Sequence, residues 1–451
     1  MTTATFHPSR LYGTASVPPA KSEAHRALLL AALGKGCCRL HGFPPPLCED
    51  TQAMLNGLAA MGAKVSHEGE VLVVEPAPPV LETDEVKTFH VNACAAALRM
   101  LIPAFWARGQ AVRITMEPGL FARPLDAFVP LAEQIGGRMA LSPAMAGKPA
   151  VVEISGKLDA GEYQVDGTVS SQFASGLLIA LSCATDASGK PSPSRLTLTK
   201  PIVSRPYLDM TLIQMERFGA PCPETEEGVF AISSDGRKNP VKAAVGGDWS
   251  QAAVLLCANA LGSGTMVHGL ELPKAGELPL QGDSEILEIL RQMGLFVSQM
   301  GEDLYVTNPS RSGLMPLLLD CTAIPDIAPI LALTCSQACG KSTLTGVKRL
   351  RVKECDRLSA TEDLLVQMGV SVSVSADSDV LIIEGQGKQG EESRLKGGFT
   401  ADARGDHRMV MLLATAALIA DKPITVRGIE ALDKSWPGFM ETYRALGGVV
   451  S

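Results

Sequence analysis

Six times along the chain an apolar run with helical spacing ends at a glycine and gives way to a short β-like segment. The six are LNGLAAMGAKV with Gly62, VPLAEQIGGRM with Gly136, LIQMERFGAPC with Gly219, ILEILRQMGLFV with Gly294, EDLLVQMGVSV with Gly369 and ETYRALGGVV with Gly447. Successive glycines lie 74, 83, 75, 75 and 78 residues apart. A helix that stops and reverses favours a left-handed residue just past its end, and glycine takes that conformation without strain. Between these helices sits a second kind, also six times. It opens on polar residues and continues as Ala, Leu and other small apolar residues, beginning near Lys21, Cys94, Ser170, Asp248, Asp326 and Asp406. A helix apolar nearly all round is a buried helix.

The pattern predicts an α/β chain of six copies of one unit, each with two helices and several short strands. A period near 75 residues is too long for an ordinary solenoid repeat. Three copies closing on themselves would form one globular domain, and six would form two with a cleft between them. The least helical stretch near the middle is KNPVKAAVGGD, and the first twenty residues carry a strand-like piece ahead of VPPAKS. Both are candidate crossings. The expected lobes are therefore 1–20 with 243–451, and 21–242, with the active site in the interdomain cleft.

Composition narrows the class. Apolar residues make up 46% and aromatics only 4%, which points to a core of small aliphatic side chains. The net charge of −8 argues against a general nucleic-acid binder, yet permits a locally basic pocket. The opening MTTATFHPSR lacks a signal-peptide apolar run, and stretches such as Ala27–Leu33 and Ser175–Ala184 are too short to span a bilayer. The eleven cysteines show no CxxC pair and no metal-ligand spacing, and most sit in apolar runs, as expected of reduced core thiols.

The polar residues suited to chemistry gather at the starts of the buried helices. Lys21, Ser22 and Arg26 stand at the first, Ser170, Ser171 and Gln172 at the third, Asp326 at the fifth, His407 and Arg408 at the sixth. Helix N-termini expose unpaired N–H groups with positive partial charge, so several aimed at one place would bind anions strongly. Ser170 and Asp248 also read as plain N-caps. Lys21, Arg26 and Arg408 oppose the helix dipole, which makes sense where an anion sits. The densest polar run, RLRVKECDRL, reads either as a solvated face or as part of that site, and Lys434 stands ahead of the last glycine-capped helix.

In the motifs PPAKSEAHRALLLAAL, ARPLDAF, VSSQF, SRPYLDMTL, GDWSQAA, IPDIA, RVKECDRL, GDHRM and KSWPGF, the chain resembles the 5-enolpyruvylshikimate-3-phosphate synthases of the enolpyruvyl transferase family over essentially its whole length. The resemblance implies two domains, each of three βαβαββ units, an inside-out α/β barrel with buried helices. It implies transfer of the enolpyruvyl group of phosphoenolpyruvate to the 5-hydroxyl of shikimate 3-phosphate. That activity would need no metal and no organic cofactor, in a cytoplasmic monomer that binds neither nucleic acid nor membrane. It places Lys21, Ser22, Arg26, Ser170, Ser171, Gln172, Ser204, Asp326 and Lys353 around shikimate 3-phosphate. Lys21, Ala95, Arg123, Gln172, Arg357, His407, Arg408 and Lys434 fall around phosphoenolpyruvate, and Asp326, Glu354, Lys21 and Lys434 in catalysis. Four anionic groups in one cleft call for about this many Lys and Arg residues, and two carboxylates in different surroundings can serve as base and acid.

One stretch departs from the family. Where its members carry Asn-Ala-Gly-Thr-Ala before an Arg, this chain has Ala93, Cys94, Ala95, Ala96 and Ala97 before Leu98 and Arg99, with Asn92 one place earlier. A methyl at Ala95 shrinks the pocket, which predicts weaker phosphoenolpyruvate binding and tolerance of glyphosate, the family's inhibitor at that site. Arg349 likewise replaces a usual Asn. These changes leave room for a divergent member acting on another alcohol such as UDP-N-acetylglucosamine, or for an inactive ligand-binding homologue. Against the first, MEPGLFARPL lacks the cysteine that such a transferase carries.

Overall fold

All six glycines end a helix with a left-handed backbone: φ is 99° at Gly62, 61° at Gly136, 70° at Gly219, 89° at Gly294, 83° at Gly369 and 93° at Gly447. The computed structural model describes residues 1–80, 86–145, 148–234, 238–272, 279–308, 313–388 and 394–451. In it the apolar helices run Lys21–Leu33, Ala95–Ala107, Ser171–Leu181, Trp249–Ala260, Ala328–Cys335 and His407–Leu418, hereafter the first to sixth buried helices. Every residue of the fourth, fifth and sixth is buried.

Each copy builds one sheet in the same way. In the copy of the second buried helix, strand Lys87–His90 runs parallel to Val112–Met116, which pairs antiparallel with Ala150–Ser155, itself in a hairpin with Arg138–Ser142. The copy of the third repeats this with Glu162–Val165, Ser194–Leu198, Val229–Ile232 and Glu224–Glu226. The fifth repeats it with Leu318–Asp320, Lys341–Thr345, Val380–Glu384 and Ser371–Val374.

The other three copies borrow strands from far along the chain. Lys242–Ala244 lies parallel to Cys38–His41 and completes the first copy. Tyr12–Ser16 lies parallel to Gly264–His268 and completes the fourth. Thr3–Phe6 pairs with Ile424–Arg427 and bridges to Val450, completing the sixth.

The chain divides into two compact units, a terminal unit of Met1–Pro18 with Gly247–Ser451 and a central unit of Pro19–Gly246. These boundaries lie a few residues from 20/21 and 242/243, because the Lys242–Ala244 pairing and a 2.9 Å bond from Ala20 N to Gly246 O hold residues up to Gly246 in the central unit. Among the described residues no helix is long and apolar enough to cross a membrane.

Each unit has its own core of Ala, Leu, Val and Ile. The few aromatics sit at joints. In the central unit Phe128 meets Phe173 edge-on at 4.8 Å and Trp106 at 5.7 Å. In the terminal unit Phe6 of the first strand meets Tyr443 at 5.3 Å and thereby ties the two chain ends together.

The second and third buried helices cross closely at Gly176. A β-carbon there would stand 2.7 Å from Arg99 O and 2.9 Å from Met100 Cα. Gly176→Ala gains about 1 kcal/mol of helix propensity but forces backbone apart at a site where overpacking costs about 1–3 kcal/mol. Urea unfolding is expected to show a less stable variant; unchanged or raised stability would mean that the helices can separate without cost.

Candidate active site

The central unit gathers its polar residues on the starts of the first three buried helices. Lys21 Nζ donates to Asp50 Oδ2 at 2.9 Å, so the cation against the first helix dipole is offset by the acidic first turn of helix Glu49–Met61. Ser22 lies beside it, half-buried. Arg26 is buried and serves the protein itself: its guanidinium donates to Thr211 Oγ1 at 2.7 Å, Ser22 O at 2.6 Å, Tyr207 O at 2.9 Å and Ser175 Oγ at 3.1 Å. Burial lowers its pKa to about 10, which leaves it charged at neutral pH. His25 beside it donates from Nε2 to Asp50 O at 2.9 Å, and burial pulls its pKa down to about 4, so it is neutral.

Ser170 caps the third helix, its Oγ accepting from Gln172 N at 3.3 Å, with Ser171 buried next to it. Gln172 Oε1 accepts from Arg99 at 3.0 Å, and the same guanidinium donates to Pro124 O at 2.8 Å and lies 4.8 Å over the Phe173 ring. Arg99 thereby ties the half-buried loop of Arg123 to the start of the third helix. Ser204, at the start of helix Arg205–Arg217, is buried with a left-handed φ of 53°. Ala95 opens the second buried helix, and Cys94 caps it, Sγ accepting from Ala97 N at 3.4 Å.

The terminal unit brings Asp326, Lys353, Glu354 and Arg408 together around Arg357, which is 1% exposed. Its guanidinium donates to Asp326 Oδ1 at 2.8 Å, Glu354 Oε2 at 2.6 Å and Asp406 Oδ2 at 2.7 Å. Lys353 Nζ adds a 3.2 Å bond to Asp326, and Arg408 stands 3.7 Å from its other oxygen. Burial pushes the Asp326 carboxyl up, but Lys353, Arg408 and Arg357 together outweigh this and hold it well below the ordinary carboxylate range. Burial also opposes ionisation of Asp406, and Arg357 and His407 reverse that. Lys353 is pulled below its usual value, by burial first and then by Arg357 and half-buried Arg349.

Asp406 caps the sixth buried helix through Arg408 N at 2.9 Å, and buried His407 lies with Nδ1 3.6 Å from Asp406 Oδ1. Arg408 donates to Ser250 Oγ at 2.9 Å, and Ser250 in turn to Asp248 at 2.5 Å. Asp248 caps the fourth helix, which is the plain reading of that residue. Lys434 ends the 3-10 turn Ile429–Lys434, also buried.

RLRVKECDRL thus splits in two: Arg351 and Asp356 pair at 2.6 Å near the surface, while Lys353, Glu354 and Arg357 turn inward. Asp50, Arg99 and Asp406 were not among the expected site residues, although each holds one that was. Their sequence signal was weak, since each is a single charge inside an ordinary helix start. All eleven cysteines are free thiols.

Arg357→Ala removes the cation that three carboxylates share, and losing one partner of a buried ionic cluster costs about 3–5 kcal/mol. Asp326 and Asp406 have depressed folded pKa values. Their stabilisation is therefore present above the unfolded carboxylate range and lost as pH falls through the folded values. Urea denaturation should show a large loss for Arg357→Ala at neutral pH that shrinks below about pH 4; an equal loss at both would contradict the charge assignment.

The family model described as EPSP synthase (3-phosphoshikimate 1-carboxyvinyltransferase) matches residues 6–443. A relative named 3-phosphoshikimate 1-carboxyvinyltransferase from Clostridium botulinum is 31% identical over 453 residues, covering 99% of this chain and 98% of its own. One of the same name from Clostridioides difficile is 32% identical over 452 residues, covering 98% and 97%. Among solved structures, EPSP synthase from Acinetobacter baumannii superposes with a TM-score of 0.79 at 22% identity, covering 100% of this chain and 99% of that one. The enolpyruvyl transferase NikO from Streptomyces tendae gives 0.73 at 17%, covering 100% and 98%. At those identities the structures speak for the fold, and the two sequence relatives and the family match carry the assignment: the chain belongs to the EPSP synthase family.

Proposed function

We propose that the chain transfers the enolpyruvyl group of phosphoenolpyruvate to the 5-hydroxyl of shikimate 3-phosphate and releases inorganic phosphate, the shikimate-pathway step toward chorismate and the aromatic amino acids. The observation that carries this reading is the convergence of Lys353, Arg357 and Arg408 on Asp326. Such a cluster holds a carboxylate ionised, and its Lys and Arg groups are the kind that can also bind arriving anions.

The chemistry follows from those groups. The 5-hydroxyl oxygen adds to C2 of phosphoenolpyruvate while C3 takes a proton, which gives a tetrahedral intermediate with a methyl group. Loss of a methyl proton and of the C2–phosphate oxygen bond then gives the enol ether and phosphate. Asp326 accepts the hydroxyl proton. Held by three cations alone it is a weak base; once the substrate phosphates and carboxylates draw on those cations, its basicity rises. Glu354, on the same guanidinium, is the second carboxyl and serves the carbon, with Lys21 and Lys434 beside the reacting groups.

Ser22, Arg26, Ser170, Ser171, Gln172, Ser204 and Lys353 hold shikimate 3-phosphate, Arg26 chiefly by bracing Ser22. Arg123, Arg357, His407, Arg408 and Lys434 surround phosphoenolpyruvate. The free thiols suit a reducing compartment such as the cytoplasm.

Phosphate release should require both substrates, and Asp326→Asn should lower kcat by about 10²–10⁴. Release with UDP-N-acetylglucosamine in place of shikimate 3-phosphate, or no release at all, would overturn the reading. Ala95 is buried at the first position of its helix, where a methyl takes room from the phosphoenolpyruvate site. Since one methylene-sized change in a pocket is worth roughly tenfold or more, Ala95→Gly should lower the glyphosate concentration for half-inhibition by that factor; an unchanged value would remove Ala95 from the site.

A further inference from the structure

A long side chain on a helix leans back toward the helix start. Arg99 stands one turn after Ala95 in the second buried helix and is itself buried. Its Nη1 donates to Gln172 Oε1 at 3.0 Å and its Nη2 to Pro124 O at 2.8 Å, while the guanidinium carbon lies 4.8 Å from the centre of the Phe173 ring. The fork is thus spread across two elements, the start of the third buried helix and the loop that follows helix Pro118–Phe121, with an aromatic face holding its plane.

That pairing dictates how Gln172 stands. A guanidinium carries donors and no acceptor, so only the carbonyl end of an amide can face it. Oε1 is committed to Arg99, and Nε2 has no hydrogen-bond partner among the described residues. Its N–H groups are left for an anion. The second bond acts on a different group: Pro124 directly follows Arg123, so holding Pro124 O fixes the backbone from which the Arg123 side chain leaves.

We propose that Arg99 is a positioning residue for the transfer reaction. It turns the Gln172 amide so that N–H rather than oxygen meets the substrate anions, and it anchors the loop of Arg123. With no fork behind it the amide can rotate, and an oxygen facing phosphate or carboxylate is repelled where a donor would bond. This rests on the enolpyruvyl transfer proposed above.

Lysine keeps the charge but loses the planar fork that spans both acceptors. Arg99→Lys should raise KM for phosphoenolpyruvate about tenfold while kcat falls by no more than about threefold. A fall in kcat with KM unmoved, as a loss of correctly folded enzyme would give, overturns the proposal. In Arg99→Ala, guanidinium chloride at millimolar concentration should restore affinity and ammonium chloride should not; equal effects of the two salts would mean that charge alone matters, and would overturn it as well. Independently of turnover and of any Arg99 variant, the Gln172 Nε2 resonance of wild-type protein with ¹⁵N-labelled glutamine side chains, identified by its absence from Gln172→Glu, should move when shikimate 3-phosphate and phosphoenolpyruvate are added together. If it stays in place while phosphate is released, the amide faces elsewhere and the proposal fails although the transfer reading stands.

Discussion

A helix enclosed by apolar neighbours can offer only its ends to anything polar. Six such helices make up the interior of this protein, and their flanks are Ala, Leu, Val and Met, with scarcely a group able to do chemistry. Each N-terminus still has unbonded N–H groups that must be satisfied. Ser170, Asp248 and Asp406 meet that need with side-chain oxygens, and Cys94 does so with sulfur. The same dipoles favour anions, which lets Lys21 and Arg408 stand where a lone cation would be unfavourable, each balanced by a carboxylate from another element.

That balance is expensive. Each ion moved out of water costs several kcal/mol, and a cluster such as Arg357 with Asp326, Glu354 and Asp406 is seldom more stable than a well-packed apolar equivalent. Its retention makes sense as function: charges held rigid in a dry site can be turned on an anionic substrate without reorganisation. The aliphatic core and the close helix crossing at Gly176 supply the stability that the ionic layer does not.

Much of this was legible in the chain. The glycine-capped helices announce themselves because only a left-handed residue ends them, and the buried helices because they lack a polar face. The strand pairings were not legible, since Thr3–Phe6, Tyr12–Ser16 and Lys242–Ala244 complete sheets with partners far along the chain and carry no local mark of them. Burial was equally hidden within RLRVKECDRL, where Arg351 faces water and Arg357, six residues later, is fully enclosed. Arg26 read as a ligand-binding cation, yet its hydrogen bonds go to its own unit. Asp50, Arg99 and Asp406 gave little signal because their work is to hold another residue, and such a relation exists only in three dimensions.

If Glu354 protonates the methylene carbon of phosphoenolpyruvate and later takes a proton from the resulting methyl, turnover in deuterium oxide must leave a trace on that carbon. Mass spectrometry of the enolpyruvyl product after partial conversion reads it directly. Deuterium in the vinyl methylene is the predicted result. Product formed in deuterium oxide with none there would show that the enolpyruvyl group moves without passing through a methyl intermediate, and would contradict the addition–elimination chemistry and the role given to Glu354.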